Sequence, residues 1–172
     1  MSSKNKNLSV PAIDRLKKLE NAKIGIVTSE WNSEITFAMR NACIEELKKY
    51  GCEVDDLMII DVPGAFELPS GAKLLLANHK LDAVICIGCV IKGETKHDEY
   101  ISNAVASGIM TLSVVSGKPV IFGVLTPNDM QQAIDRSGGK HGNKGIEAAH
   151  TAIKMIHLAN DVKKLDKKKI GF

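Results

Sequence analysis

No apolar stretch of this 172-residue sequence approaches the roughly eighteen residues that a membrane-spanning helix needs. Residues 1–7 are polar, and the apolar segment of a secretory signal peptide does not follow them. These two absences predict a protein that does not enter a membrane and stays in the cytoplasm. The hydrophobic fraction of 44% is ordinary for a globular protein, and the length suits one domain.

Several signatures of cofactor binding and catalysis are also missing. The glycine-rich segment 138–145 fits neither the P-loop pattern nor the dinucleotide-binding pattern. No two of the five histidines have the close spacing of a metal motif, and no serine, histidine and aspartate suggest a catalytic triad. Two of those histidines, His150 and His157, are expected at the surface of a helix. The sequence therefore does not predict a nucleotide P-loop, a dinucleotide turn or a histidine metal site.

Cysteine is scarce, and its four positions do not indicate redox chemistry. Cys86 and Cys89 form a C-x-x-C pattern, but they fall inside an apolar, β-branched run that predicts a strand. Positions i and i+3 of a strand point to opposite faces and lie about 10 Å apart, which is too far for a disulfide. We therefore predict that these two cysteines, together with Cys43 and Cys52, are reduced and mostly buried.

Basic residues concentrate at the two ends of the chain. Residues 1–20 carry a net charge of +3 and residues 163–172 one of +4, whereas residues 21–162 carry −4. A basic run can indicate nucleic-acid binding, but a solvated terminal tail is the reading that we favour, without a nucleic-acid partner. We predict an N-terminal arm over 1–20, a single domain over 21–162 and a basic tail over 163–172.

Strand-like and helix-like segments alternate along the central part of the chain. Apolar runs predict strands at 23–28, 54–62, 83–91 and 119–125, and a helical pattern follows each of them. Such alternation implies an α/β fold with a parallel sheet that helices cover on both faces.

The sequence also predicts where several helices begin and end. Ser33 is expected to cap the first helix, and Thr126 with Pro127 to begin the short helix after the fourth strand. Segment 138–145 is expected to be a hinge, and the last helix to run from about Ile146 to Val162.

The segment after the third predicted strand is the strongest candidate for chemistry. The strand breaks at Gly93 into a polar loop, and a helix is expected from about Asp98 to Ser116. Ligands in open parallel sheets bind beyond the carboxyl ends of the strands, and a turn beside a helix N-terminus suits phosphate. His97 lies in this loop, where an imidazole can transfer protons near neutral pH. The alternative is a surface histidine at the start of a helix.

Three further side chains are candidates, each with a structural alternative. Trp31, the single tryptophan, falls in the loop after the first strand and could stack on a planar heterocycle, or else lie at a surface or interface. Glu67 could accept hydrogen bonds from sugar hydroxyls or compensate a helix dipole. Arg136 could hold a phosphate in a bidentate manner or interact with the C-terminal dipole of its own helix.

Four separated motifs, in their order and spacing over about residues 21–160, resemble the lumazine synthase (6,7-dimethyl-8-ribityllumazine synthase) family. They are Trp31-Asn32 with Ile35-Thr36, the segment Pro63–Pro69, the segment Gly88–His97, and the segment from Pro119 through Arg136 to Gly145. The resemblance implies a flavodoxin-like three-layer sandwich with a four-stranded parallel sheet. It also implies condensation of 5-amino-6-(D-ribitylamino)uracil with 3,4-dihydroxy-2-butanone 4-phosphate, without a metal or an organic cofactor.

The resemblance further implies a role for each matching residue. Trp31 corresponds to the aromatic residue that stacks on the pyrimidine, and His97 to the proton-transfer residue. The remaining matches fall into three groups: the ribityl segment Ala65, Phe66 and Glu67; the pyrimidine-lining residues Cys89, Val90, Ile91 and Phe122; and the phosphate-binding residues Glu94, Thr95, Arg136 and Lys144.

In the family, the residues that correspond to Phe122, Arg136 and Lys144 come from the adjacent subunit. The resemblance therefore implies a homo-oligomer with shared active sites, a pentamer or a capsid of sixty subunits, and the short segment 138–145 favours the capsid. Three alternatives stay open: a flavin- or nucleotide-binding module without catalysis, a structural shell protein, and a riboflavin synthase of the archaeal type.

Overall fold

The apolar runs of the sequence form a four-stranded parallel sheet in the computed structural model, which describes residues 16–168. Helices alternate with these strands along the chain, as the sequence predicts. The strands are β1 (Ile24–Ser29), β2 (Leu57–Val62), β3 (Ala83–Cys89) and β4 (Val120–Leu125), and the helices are α1 (Ser33–Lys49), α2 (Leu68–Asn78), α3 (His97–Ser116), α4 (Met130–Arg136) and α5 (Lys144–Lys168).

The strand order is β2-β1-β3-β4, so β1 and β3 are central and β4 is an edge strand. Both central strands are buried along their whole length, which explains their continuous apolar sequences. One face of the sheet packs against α1 and α5, and the other packs against α2 and α3. This three-layer arrangement confirms the predicted flavodoxin-like fold.

Three predicted starts of elements are wrong. The second strand begins at Leu57, because Val54–Asp56 form a 3-10 turn. The first helix has Asn32 as its N-cap, in a left-handed conformation with φ 60°, and Ser33 is the first helical residue. Helix α4 begins at Met130, because the side chain of Asp129 accepts the backbone N–H of Gln132 and caps it there.

The glycine-rich segment and the last helix also differ from the prediction. The segment 138–145 contains part of a two-stranded antiparallel hairpin, β5 (Ser137–Gly139) with β6 (Gly142–Asn143), and not a simple hinge. Helix α5 begins at Lys144 and continues to Lys168, which is longer than predicted at both ends. Its C-terminal part therefore enters the predicted basic tail.

Only part of the predicted N-terminal arm belongs to the described residues. Leu19 is buried in the core, and its N–H donates to the Tyr50 carbonyl. The carbonyl of Lys17 lies 3.1 Å from Nε2 of His157 on α5. Residues 1–15 and 169–172 lie outside the described part of the chain.

Candidate functional site

Hydrogen bonds tie together the loops that follow all four parallel strands. The Trp31 N–H donates to the Pro63 carbonyl at 3.1 Å, which joins the loops after β1 and β2. The Asn32 side-chain amide donates to the Cys89 carbonyl at 3.0 Å, which joins the loop after β1 to the end of β3. The segment that follows β3 stays paired with the chain after β4, because the N–H of Lys92 donates to the Pro127 carbonyl at 2.9 Å. The carboxyl edge of the sheet is therefore one connected surface.

Two exposed aromatic side chains stand on this surface. Trp31 is 73% exposed and Phe66 is 54% exposed, although aromatic residues of this size usually bury most of their area. Ala65 is buried, and Glu67 is half-buried at the start of α2. An exposed aromatic plane beside a carboxylate is suited to a ligand with a flat ring and hydroxyl groups.

The polar loop between β3 and α3 carries free backbone donors. Within the described part of the chain, the N–H groups of Gly93, Glu94 and Thr95 have no acceptor. The hydroxyl of Thr95 accepts the N–H of His97 at 3.4 Å, a long hydrogen bond at the first residue of α3. The His97 side chain is exposed. Free N–H groups at the N-terminus of a twenty-residue helix suit an anion such as phosphate.

A second group of candidate residues forms a cluster of charges after β4. Arg136 donates to the Glu147 carboxylate at 2.8 Å and to the His141 carbonyl at 3.0 Å. Lys144 donates to the other oxygen of the same carboxylate at 3.1 Å. Glu147 therefore holds two cations in one place. The alternative role of Arg136, an interaction with the C-terminal dipole of its own helix α4, does not account for the orientation of its side chain. Its guanidinium instead donates to Glu147 on α5 and to the His141 carbonyl in the hairpin.

Glu147 is the functional candidate that the sequence analysis missed. Its position three residues after Lys144 predicts an ion pair on a helix, and a 3.1 Å pair is present. Its contact with Arg136, eleven residues earlier, depends on the β5–β6 hairpin that brings α4 back to α5.

This charged cluster borders a groove on the edge-strand side of the sheet. The groove has a volume of about 490 Å³ and lies between α3, β4 and α5. Phe122, which is 38% exposed on β4, contributes to its wall, as do Met110, Lys144, Glu147 and Met155. None of Trp31, Glu67 or His97 lines it. On one chain, the candidate residues therefore fall into two groups, one at the carboxyl edge and one along the groove.

The four cysteines are free thiols and are buried, as predicted. Desolvation by burial raises the pKa of Cys43, Cys86 and Cys89 to about 12 and that of Cys52 to about 11. Thiols with such pKa values are poor nucleophiles at neutral pH. The Cys89 thiol is therefore not a candidate nucleophile.

The predicted surface position of His150 is wrong. This residue is 6% exposed, and its Nε2 lies 2.7 Å from Oε1 of Glu46. Lys49 donates to the other carboxylate oxygen of Glu46 at 2.9 Å. The Tyr50 ring packs edge-on against the imidazole. The pair joins α1 to α5, so it is a structural contact between two helices. His157, by contrast, is half-buried.

Among residues 16–168, no group of histidine, cysteine, aspartate and glutamate side chains is arranged to hold a metal ion. No helix in the same residues combines the length and the apolar character that crossing a bilayer demands.

The sheet order, the two helical layers and the connected loops at the carboxyl edge define a flavodoxin-like α/β protein with its candidate site outside the strand ends. A sequence model of the 6,7-dimethyl-8-ribityllumazine synthase family matches residues 21–160. The chain belongs to this family.

Curated relatives carry the same description. The 6,7-dimethyl-8-ribityllumazine synthase of Cytophaga hutchinsonii is 49% identical over 156 residues, which cover 91% of this chain and 98% of that protein. The enzyme of the same name from Flavobacterium johnsoniae is 50% identical over 92% of this chain and 83% of its own length. The one from Bacteroides fragilis is 49% identical over 78% of this chain and 94% of its own length.

Proposed function

We propose that this chain carries out the family's reaction at a site that two subunits build together. As a lumazine synthase, it condenses 5-amino-6-(D-ribitylamino)uracil with 3,4-dihydroxy-2-butanone 4-phosphate. The products are 6,7-dimethyl-8-ribityllumazine, phosphate and water, in the penultimate step of riboflavin synthesis. Both substrates are small molecules, so the candidate residues must supply recognition, proton transfer and stabilisation of the leaving phosphate.

The carboxyl edge supplies the half of the site that binds the pyrimidine substrate. The exposed indole of Trp31 stacks on the ring, while Ala65, Phe66 and Glu67 hold the ribityl chain. The backbone of Cys89, Val90 and Ile91 lines the other side of the ring. Glu67 is half-buried at the start of α2, where its carboxylate can accept hydrogen bonds from hydroxyl groups.

The loop before α3 supplies the first contacts to the phosphate and the proton-transfer group. The free N–H groups of Gly93, Glu94 and Thr95 bind the phosphate. His97 follows them directly and transfers protons as the amine and the carbonyl form an imine. Most of the rate enhancement comes from holding the two substrates in register, and acid–base catalysis adds about 10²–10⁴-fold.

The groove residues supply the other half of the site from a neighbouring subunit. Arg136 and Lys144 are held side by side by Glu147, which pre-orients both cations for a phosphate. Phe122 offers an exposed apolar wall beside them. The observation that carries the proposal is that Phe122, Lys144 and Glu147 line the groove, whereas Trp31, Glu67 and His97 do not.

The exposed apolar residues of α3 also favour a homo-oligomer. Only Val105 and Ile109 of this twenty-residue helix are buried, whereas Met110, Val114 and Val115 are more than 60% exposed. An exposed apolar face of this kind marks a subunit interface. We propose a pentamer, or twelve pentamers closed into a capsid, in the cytoplasm. We also propose an N-terminal arm over 1–20, a single domain over 21–162 and a basic tail over 163–172.

Mixing the two substrates with the purified protein tests the activity, because the lumazine product is fluorescent. We expect His97→Ala to lower kcat by about 100-fold, within the range of acid–base catalysis, with little change in either KM. His79→Ala is the matched control, because His79 is an exposed histidine in the loop after α2. An unchanged kcat for His97→Ala would exclude its role in proton transfer.

Mixing two impaired variants tests the shared site. His97→Ala and Arg136→Ala are unfolded together and refolded, so that their subunits mix at random. If each site takes His97 from one subunit and Arg136 from the next, about a quarter of the interfaces regain both side chains. We expect about a quarter of the wild-type activity. Activity no higher than the sum of the separate variants would show that one chain provides both residues.

A further inference from the structure

The buried side chain of Asn143, at the end of β6, contacts three parts of the fold. Its amide donates to the Ser137 carbonyl at 2.7 Å, across the β5–β6 hairpin. Its Oδ1 accepts the Gly145 N–H at 2.8 Å, in the first turn of α5, as a capping side chain does. The same amide lies 3.5 Å from the Ala38 carbonyl on α1, which is a longer contact. Asn143, only 7% exposed, therefore joins the hairpin to the start of α5.

The two candidate cations of the phosphate site stand directly beside these contacts. Arg136 immediately precedes Ser137 in the chain, and Lys144 immediately follows Asn143. Glu147, the carboxylate that both cations contact, lies in the first turn of α5. The hydrogen bond from Asn143 to Ser137 therefore sets the distance between the last residue of α4 and the first residue of α5.

Backbone pairing alone holds this hairpin weakly. Strand β5 has three residues and β6 has two, and their register is irregular between Ser137 and Gly139. A two-stranded hairpin is at best marginally stable by itself, even with longer strands. Ser137 is 9% exposed, so water cannot readily replace a donor that its carbonyl loses. The side chain of Asn143 therefore carries a substantial share of the connection between the two strands.

From these contacts we infer that Asn143 is the positioning residue of the phosphate clamp, which consists of Arg136, Lys144 and Glu147. The amide of Asn143 holds the end of α4 through Ser137, and its oxygen holds the first turn of α5. The two cations therefore meet at one carboxylate before the phosphate of the substrate arrives. The side chain of Asn143 is buried, so it acts through the cations and not on the substrate. The inference rests on the proposed function and deepens it.

Asn143→Ser tests the inference, because serine keeps one contact and removes the other. Its hydroxyl can still accept the Gly145 N–H and cap α5, but it has no amide to donate to the Ser137 carbonyl. We expect the KM for the butanone phosphate to rise about five- to tenfold, with the KM for the pyrimidine unchanged. The Kd of inorganic phosphate, measured by calorimetric titration, should rise by a similar factor. If neither value changes, the inference is overturned.

Two control variants separate positioning from a general loss of stability. Ile153→Val removes a methylene group from the fully buried face of α5, which lowers stability without touching the clamp. Asn78→Ser removes an amide that donates to the Leu74 carbonyl at the end of α2, at 2.8 Å. We expect both variants to keep the wild-type KM for each substrate. If Ile153→Val raises the KM for the butanone phosphate as much as Asn143→Ser does, Asn143 has only a structural role.

Mixed subunits show which half of the shared site Asn143 serves. Asn143→Ser is refolded together with His97→Ala, and separately with Arg136→Ala, and activity is measured at a low concentration of the butanone phosphate. We expect the first mixture to exceed the mean of its two separate variants, because about a quarter of its interfaces combine an intact His97 with an intact clamp. The second mixture should equal the mean of its variants, since both substitutions impair the same half. The reverse pattern would contradict the inference.

The outcomes for the inference and for the proposed function are distinguishable. Wild-type protein that forms no lumazine from the two substrates would contradict the proposed function. Active wild type with an unaffected Asn143→Ser variant would contradict only the role of Asn143.

Discussion

At the scale of single residues, one carboxylate organises the cationic half of the proposed site. Glu147 accepts hydrogen bonds from Arg136 and Lys144 through its two oxygens. This arrangement fixes the guanidinium and the ammonium next to each other. Each cation keeps further N–H groups that can donate to a ligand. A phosphate that approaches the pair meets two cations whose side-chain positions are already set.

Substitution of Arg136 tests this half of the site. We expect Arg136→Ala to raise the KM for the butanone phosphate about tenfold or more and to lower kcat, because a charge-assisted contact to the phosphate is lost. The KM for the pyrimidine should be unaffected. Steady-state kinetics with each substrate varied in turn measures both effects. Arg40→Ala is the control, since Arg40 pairs with Asp61 on the surface of the sheet edge. Equal effects of the two variants would contradict the assignment.

Residue positions could be predicted from the sequence only where the topology decides them. Trp31, Glu67 and His97 follow different parallel strands, so the sequence alone places them at one edge of the sheet. The burial of His150 could not be predicted in this way, because it depends on Glu46, which lies 104 residues earlier on another helix. The same limit applies to the contact between Arg136 and Glu147.

At the scale of elements, the start of α5 depends on one glycine. A Cβ at Gly145 would collide with the backbone carbonyl of Met39 on α1, which cannot move without shifting that helix. We expect Gly145→Ala to lower the free energy of unfolding by about 1–3 kcal/mol, as overpacked core positions do. Gly93→Ala is the control, because its Cβ would have no atom within 4 Å. Urea unfolding measures both, and equal stability of the two variants would exclude the close approach.

The contact between α1 and α5 also makes stability depend on pH. Burial acts to raise the pKa of Glu46, but hydrogen bonds from Lys49 and His150 outweigh it and lower the pKa below its usual 4.5. A lowered carboxyl pKa contributes stability above the unfolded value, and this contribution is lost as the pH falls through 4.5 and below.

Glu46→Gln should therefore destabilise the protein at neutral pH, and its difference from the wild type should shrink in acid. Unfolding in urea over a series of pH values measures this change. Glu45→Gln is the control, because Glu45 is exposed and pairs with Lys48 at the surface. A difference between Glu46→Gln and the wild type that stays constant with pH would exclude the linkage.

The elements themselves could largely be predicted, whereas their exact starts could not. The β-branched runs and the helical periodicity give all four strands of the sheet and the main helices. Thr126 and Pro127 carry the signals of a helix start. The chain at Pro127 nevertheless still pairs with the segment after β3, through the Lys92 N–H. The helix begins only after Asp129, whose side chain caps it. Here the tertiary pairing outweighs the local preference.

At the scale of the whole molecule, the groove between α3, β4 and α5 must be covered by a neighbour if the proposed site is to form. We expect Met110→Glu, which places a charge among its apolar walls, to give smaller particles and little lumazine while the helical signal in circular dichroism remains. Val54→Glu is the control, because Val54 is exposed beside the amino end of β2. Sedimentation measures size, and full activity at monomer size would contradict the shared site.

The burial of all four thiols has a practical consequence for labelling the protein. Because their pKa values are raised to about 11 or 12, maleimide and iodoacetamide reagents have almost no thiolate to attack in the folded protein at neutral pH. A cysteine introduced at an exposed position such as Lys140 would then be the preferred attachment point. Dyes or crosslinkers can therefore be placed on each subunit without first removing the native cysteines.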